Sequence, residues 1–315
     1  MIRRLFTFLA LTVFSCQAAS NVNANHYDTS GDVQKSVVYG ADERRDVYAH
    51  SDAVLQERAR QSTVALMFAE SFDATDPSNV RFGGRLQDAE NLCDSERFLD
   101  DPVSAYCSGT LIDHDLILTA GHCISRAQDC ENVRFVFNYY RPAEGALPRV
   151  STDDIFRCKA IVATEQSNRL GMSIDYSVVQ LDRMATPRFT PAPVRQESAP
   201  LLQNDRLAVI GSGSGIPFKI DSGGAVRDVR NTTRDYFVAT TDTFIRSSGS
   251  GVYERSQNRV AGILVRGEGD YVNQGTCNVA NVCAPDDCGG EAVTYVSHAL
   301  RGLCGAEINR PHLCQ

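Results

Sequence analysis

Three residues of this 315-residue chain combine side-chain chemistry and surroundings suited to proton transfer and nucleophilic attack: His122, Asp175 and Ser248. His122 closes the stretch CSGTLIDHDLILTAGHC (Cys107 to Cys123), in which Ser108 to Ile112 and Leu116 to Leu118 read as two strands joined by the turn Asp113 to Asp115. A histidine acting as a general base near neutral pH must be held in place, and a strand end does that. Asp175 opens the nearly continuous apolar run Ile174 to Leu181, about fifty residues later. A carboxylate so placed can hold an imidazole in one tautomer. Ser248 follows the apolar run Tyr236 to Phe244 and precedes Gly249, which leaves its approach clear. A tight turn there can aim backbone N–H groups at a developing oxyanion, so the three residues suit acyl transfer.

The elements that must carry them are short. Apolar runs punctuated by Gly, Asp, Asn and Ser recur along the chain, tryptophan is absent and no heptad pattern appears, which predicts an all-β architecture. Strands are expected at 62–68, 107–112, 116–119, 133–139, 155–164, 174–181, 207–210, 236–244 and 259–267, with a helix over 53–61 and a C-terminal helix within 294–304. Residues 70–101 read as a long surface loop. Thr186 to Arg195 holds three prolines in ten residues, which suits an extended linker between two barrels, a first over about 60–185 and a second over about 196–304. Gly211 to Ser214 lacks the Gly-Lys-Ser/Thr of a phosphate cradle.

The string T-A-G-H-C resembles the histidine signature of the trypsin-like serine peptidases, Asp175 matches their orienting acid, and Ser248-Gly249-Ser250-Gly251-Val252 matches their nucleophile motif. Ser36 to Tyr48 resembles the start of the glutamyl endopeptidase branch. The resemblance covers about residues 37–304 and implies a chymotrypsin-like double six-stranded β-barrel with a C-terminal helix, working as a serine endopeptidase. It also implies a Cys107–Cys123 disulfide, and an oxyanion hole built from the amides of Arg246 and Ser248. Asp221-Ser222-Gly223-Gly224 imitates another form of the nucleophile motif but follows Asp175 too soon and lacks the strand before it.

Two departures from the pattern bear on activity. Arg246 stands where the family has glycine, and Ser247 where it has asparagine or aspartate. A Cβ at position 246 opposes the backbone that an oxyanion donor needs, so replacing Arg246 by glycine is expected to raise turnover. An inactive protease-like protein that binds a peptide or protein partner is the alternative function. Ser247 also removes the carboxylate that a new amino terminus would pair with. Asp242, six residues before Ser248, falls at the floor of the family's primary pocket and implies a preference for Arg or Lys; Arg266 would be placed to neutralise it. Leu264 replaces the histidine of the glutamyl-specific branch, which speaks against acidic preference.

Arg3 and Arg4 followed by an apolar run of ten residues, too short to span a bilayer, predict a signal peptide over 1–24, with a disordered leader or short propeptide over 25–36. Cleavage after Ala24 is favoured over lipidation at Cys16, where Val13-Phe14-Ser15-Cys16 resembles a lipobox. Export, secreted or periplasmic, follows, with an outer-membrane lipoprotein if Cys16 is lipidated. Of eleven cysteines, Cys16 lies in the leader and ten remain, an even number that fits an oxidising compartment. Cys277, Cys283 and Cys288 lack the paired spacing of a zinc site, and no metal or cofactor is expected. Loss of residues 1–24 takes away two arginines and no acid, moving the net charge from -8 to -10, which disfavours nucleic acid as a partner. A peptide or protein substrate and a monomeric state are expected.

Overall fold

A computed structural model describes residues 38–314 apart from 170, 198, 268, 285–287, 307 and 309. The predicted signal peptide, the leader and Cys16 lie outside the described residues. The elements run β1 (Val38–Tyr39), β2 (Arg45–Asp46), α1 (Ala53–Gln61), β3 (Thr63–Phe68), β4 (Phe72–Asp73), β5 (Arg81–Phe82), α2 (Leu86–Glu90), β6 (Cys107–Asp113), β7 (Leu116–Thr119), α3 (Ala127–Asn132), β8 (Val133–Val136), β9 (Ile155–Arg169) and β10 (Met172–Leu181). They continue with β11 (Leu207–Gly211), β12 (Lys219–Asp221), β13 (Val226–Asp228), β14 (Tyr236–Ala239), β15 (Gly251–Glu254), β16 (Arg259–Arg266), β17 (Tyr271–Asn273), β18 (Asn278–Ala280), β19 (Val282–Cys283), β20 (Glu291–Tyr295) and α4 (Val296–Gly305).

The first half closes into a six-stranded antiparallel barrel, in the order β10-β7-β6-β3-β8-β9. Leu66, Leu111, Ile117, Phe135 and Phe156 fill it, with Phe137 stacked on Phe189 at 3.9 Å. Truncating one of these large side chains to alanine removes about 2–5 kcal/mol by transfer and cavity effects.

The second half takes the place of the expected second barrel as a half-barrel sheet. Its strands form one eight-stranded sheet, β13-β14-β20-β16-β15-β11-β12-β2. The sheet curls on itself: Arg206 bridges Ala225, Leu207 N–H donates to Gly224 O at 2.9 Å and Val226 N–H to Asp205 O at 2.9 Å. These bonds join the β13 edge to the start of β11, while β12 and β2 extend the sheet beyond that seam. A core of Leu207, Val209, Phe237, Val252 and Val293 lies inside.

Helix α1 begins where the Asp52 carboxylate accepts N–H bonds from Val54 and Leu55, at 2.8 and 3.1 Å. Helix α4 buries Val296, Ala299, Leu300 and Leu303, the spacing of one helical face. Among the described residues no helix is long and apolar enough to cross a membrane. Among the described residues five disulfides are present: Cys93–Cys277, Cys107–Cys123, Cys130–Cys158, Cys283–Cys288 and Cys304–Cys314. The implied Cys107–Cys123 pair is therefore formed, and Cys277, Cys283 and Cys288 offer no thiolate to a metal.

Candidate active site

Strand register brings the histidine and the acid together. β7 and β10 are antiparallel with Ser177 opposite Thr119, so Asp175, two residues before Ser177, faces the segment just beyond β7. Its Oδ2 accepts a hydrogen bond from His122 Nδ1 at 2.7 Å, while Oδ1 accepts N–H bonds from Gly121 at 2.5 Å and His122 at 3.1 Å. An ionised carboxylate only accepts, so Nδ1 carries the proton and Nε2 is left with its lone pair. The imidazole is thus oriented as a base. Gly121 makes the approach possible: a Cβ there would stand 2.9 Å from Asp175 Oδ1 and 2.8 Å from Glu165 O.

Ser248 sits between the two halves of the molecule. β14 ends at Ala239 and β15 begins at Gly251, so the intervening chain must be held by other bonds. Ser248 O accepts from Ser108 N–H of β6 at 2.8 Å, and Gly249 N–H donates to Leu264 O of β16 at 2.7 Å. Gly249, at φ +85°, packs where a Cβ would meet Ser108 O at 2.1 Å, so only glycine fits this crossing. Cys123 Sγ lies 3.8 Å from Ser248 O, which places the serine beside the residue that follows His122. No hydrogen bond joins Ser248 Oγ to His122 among the described residues; such bonds often tighten only when substrate binds.

The turn before Ser248 is tied to itself. Ser247 N–H donates to Phe244 O at 2.9 Å, Phe244 N–H to Ser247 Oγ at 3.2 Å, and Ser250 N–H to Ser247 O at 3.0 Å. Arg246 adopts φ +71°, the left-handed backbone usual for glycine, at a strain of about 1–2 kcal/mol. Its guanidinium reaches Ser214 O at 3.3 Å and Glu90 at 3.8 Å. The amides of Arg246 and Ser248 have no acceptor among the described residues, which leaves both available to an oxyanion.

The implied pocket residues are placed differently. Asp242 is buried, but its Oδ1 accepts from Tyr39 N–H at 2.9 Å and its Oδ2 from Glu43 N–H at 2.8 Å. Its carboxylate faces the N-terminal segment, which takes one acceptor site on each oxygen. Arg266 does not neutralise it: the side chain is exposed, donates to Ser173 Oγ at 2.6 Å and lies over the Tyr236 ring. Leu264 is buried, and its backbone holds Gly249 and Ser250.

Sequence reasoning missed two acids here. Glu291, buried at the start of β20, accepts from Thr243 Oγ1 at 2.5 Å and lies where a Cβ on Gly267 would strike it. Asp270 accepts from Ile245 N–H, the amide before Arg246, and burial pushes its carboxyl up to about 7. An acid opening an apolar strand, the signal that singled out Asp175, also describes Glu291.

The imitating serine is tied up as well. Ser222 Oγ lies 3.0 Å from His50 Nε2, but Asp52 N–H donates to His50 Nδ1, so Nε2 bears the proton and cannot take one from Ser222. Cys107, His122 and Cys123 cluster closely enough to suggest a metal, yet the two sulfurs are bonded to each other and offer no thiolate.

Residues 107–263 match the trypsin-like peptidase domain. No curated protein sequence matches the chain. Among solved structures, human heparin binding protein superposes with a TM-score of 0.51 at 14% identity, covering 85% of this chain and 98% of its own. An inactivated protease paralogue of the scabies mite gives 0.48 at 13% identity (82% and 95% covered), and the VesB protease of Vibrio cholerae 0.45 at 13% (81% and 66%). At these identities the likeness shows the fold alone, and that fold is chymotrypsin-like. The described chain thus has a chymotrypsin-like fold, mostly β, with one closed barrel, a curled second sheet and a C-terminal helix.

Proposed function

We propose that this protein is an exported serine endopeptidase that cleaves peptide or protein substrates through an acyl-enzyme. Ser248 Oγ attacks the scissile carbonyl as His122 Nε2 takes its proton, and the amides of Arg246 and Ser248 receive the oxyanion. The imidazolium returns the proton to the leaving amine; water then attacks the ester by the same route and frees Ser248. Asp175 orients His122 and stabilises its charged form. The observation that carries the reading is the Asp175 carboxylate holding Nδ1–H of His122 at 2.7 Å and the backbone beside it. Five disulfides among the described residues support export into an oxidising compartment.

A preference for Arg or Lys rests on Asp242, whose oxygens each already accept one amide and would pair with a substrate cation through their remaining acceptor sites. The relation to the glutamyl endopeptidase branch rests on the sequence around Ser36 to Tyr48 and through Phe218 to Ile220, and Leu264 offers no polar group to an acidic side chain. Reaction with a fluorophosphonate tests the assignment: folded protein is expected to label on Ser248, and the label to vanish in Ser248→Ala but persist in Ser222→Ala. Unlabelled folded protein would instead favour a peptide-binding protein without turnover.

A further inference from the structure

Building on the endopeptidase reading, we infer that Asp242 is a positioning residue, clamping the backbone of residues 39–43 to the loop that carries Ser248. The loop's order then depends on an internal segment and not on a freed α-amino group.

The segment enters as β1, which pairs in parallel with β19, Val38 opposite Val282 and Tyr39 opposite Cys283. Gly40 N–H donates to Cys283 O at 3.0 Å, and Val38 is fully buried in a cluster with Phe244 and Tyr271. Farther along, the Arg44 guanidinium stacks 3.6 Å above the Phe244 ring and Asp42 pairs with it at 2.8 Å. Beyond it, β2 joins β12, and buried Lys219 of β12 binds Asp46 of β2 at 2.5 Å and Asp101 at 2.7 Å. Residues 38–46 are therefore fastened at both ends.

Between those ends Asp242 holds the segment's backbone, while Glu291 accepts from the Tyr39 hydroxyl at 3.4 Å. Asp242 takes the Tyr39 and Glu43 amides on separate oxygens, and its own N–H donates to Asp221 Oδ2 at 2.8 Å. Bonds from N–H groups to a buried carboxylate are charge-assisted, and a carboxylate left without them would be costly to bury. The Glu43 amide would lose its acceptor too. Two residues on, Phe244 is held from one side by Arg44 and from the other by Ser247 Oγ, and Arg246 follows. The chain from Asp242 to Ser248 thus has its far end fixed by Ser108 and Leu264 and its near end by residues 39–44.

The donors on Asp242 are amides in mid-chain. They exist whether or not the bond before residue 37 is cut, and Ser247 supplies no carboxylate for a new amino terminus. Docking of the segment does the work that a cleavage-dependent ion pair would otherwise do.

Asp242→Asn keeps one acceptor oxygen at almost unchanged volume, whereas Asp242→Ala keeps none. Hydrogen exchange at Tyr39, Glu43 and residues 243–247 is expected to speed up about tenfold or more in Asp242→Ala and less in Asp242→Asn, with β6 unchanged. In steady-state hydrolysis of a neutral ester, kcat is expected to fall in the same order by about tenfold or more with KM nearly constant, because an oxyanion donor is loosened and ground-state binding is not. Uncleaved chain, verified by mass, is expected to react with fluorophosphonate as fast as chain cut before residue 37. Unchanged exchange in both variants, or labelling that appears only after cleavage, would overturn the clamp. Wild-type protein that exchanges as expected but never labels would leave the clamp standing and defeat the endopeptidase reading.

Discussion

At the scale of single residues, the site depends on groups whose bonding leaves one chemical role open. Asp175 accepts three hydrogen bonds and so fixes which nitrogen of His122 is free, whereas the amide on His50 Nδ1 fixes the opposite tautomer beside Ser222. Arg246 illustrates how a backbone can override a side-chain rule. Its Cβ argued against the glycine-like conformation, yet the structure holds φ +71° through the Ser247 turn and the contacts of the guanidinium. Because the backbone is already in place, Arg246→Gly is expected to change turnover by less than about threefold while relieving about 1 kcal/mol of left-handed strain. Loss of the Ser214 and Glu90 contacts offsets that relief. Matched kinetics and urea titrations check this, and a gain in kcat of about tenfold or more would show that Arg246 does distort the hole. His122 and Asp175 could be placed from the sequence because each borders an apolar run, His122 just past β7 and Asp175 within β10, where register decides what faces what. Asp242 could not. It lies in an irregular segment past β14, where no alternation tells which way a side chain points.

Among the elements, legibility follows length and burial. Strands β6, β7, β10 and β16, nearly all buried, were visible as apolar runs, and α1 and α4 as helical spacing. Strand β9 extends to Arg169, five residues past its expected end, because its polar outer half pairs with β10 in place of packing in the core. The run Tyr236 to Phe244 breaks after Ala239, where Asp242 and Thr243 turn to buried acids and amides that no periodicity records. Short β13 and β20 went unread, and with them the seam that curls the second sheet. The Cys107–Cys123 disulfide belongs to this scale, since it ties the start of β6 to the residue after His122. Its 16-residue separation constrains the unfolded chain, so the double variant Cys107→Ser/Cys123→Ser is expected to lose about 3 kcal/mol of stability. Fluorophosphonate labelling should slow further than stability accounts for, because His122 loses its staple. Denaturant midpoints equal to wild type would refute the first part, and unchanged labelling at full folding the second.

Across the whole molecule, buried ionisable groups set how stability responds to pH. Burial raises the carboxyls of Asp270, Asp221 and Asp242, the last two further by lying close to other acids. Burial lowers His50 and His298 below 6.5, and Asp235 is held below the usual range because bonds from Arg230, Thr233 and Ser173 outweigh its burial. The signs differ. A raised carboxyl lets the folded state keep a proton that the unfolded chain has released, so its contribution is complete below the ordinary value of 3.8 and is lost as pH rises through the folded value, about 7 for Asp270. The lowered histidines and Asp235 work the other way, adding stability above their unfolded values and losing it as pH falls. Total stability therefore mixes opposing slopes, and a single substitution isolates one of them. Asp270→Asn keeps an oxygen to accept from Ile245 N–H but cannot ionise. Its stability relative to wild type is expected to improve steadily from pH 4.5 to pH 7.5, and urea midpoints at several pH values in constant salt measure that difference. A difference that stays flat, or that shrinks with rising pH, would mean that the half-buried Asp270 keeps an ordinary carboxyl.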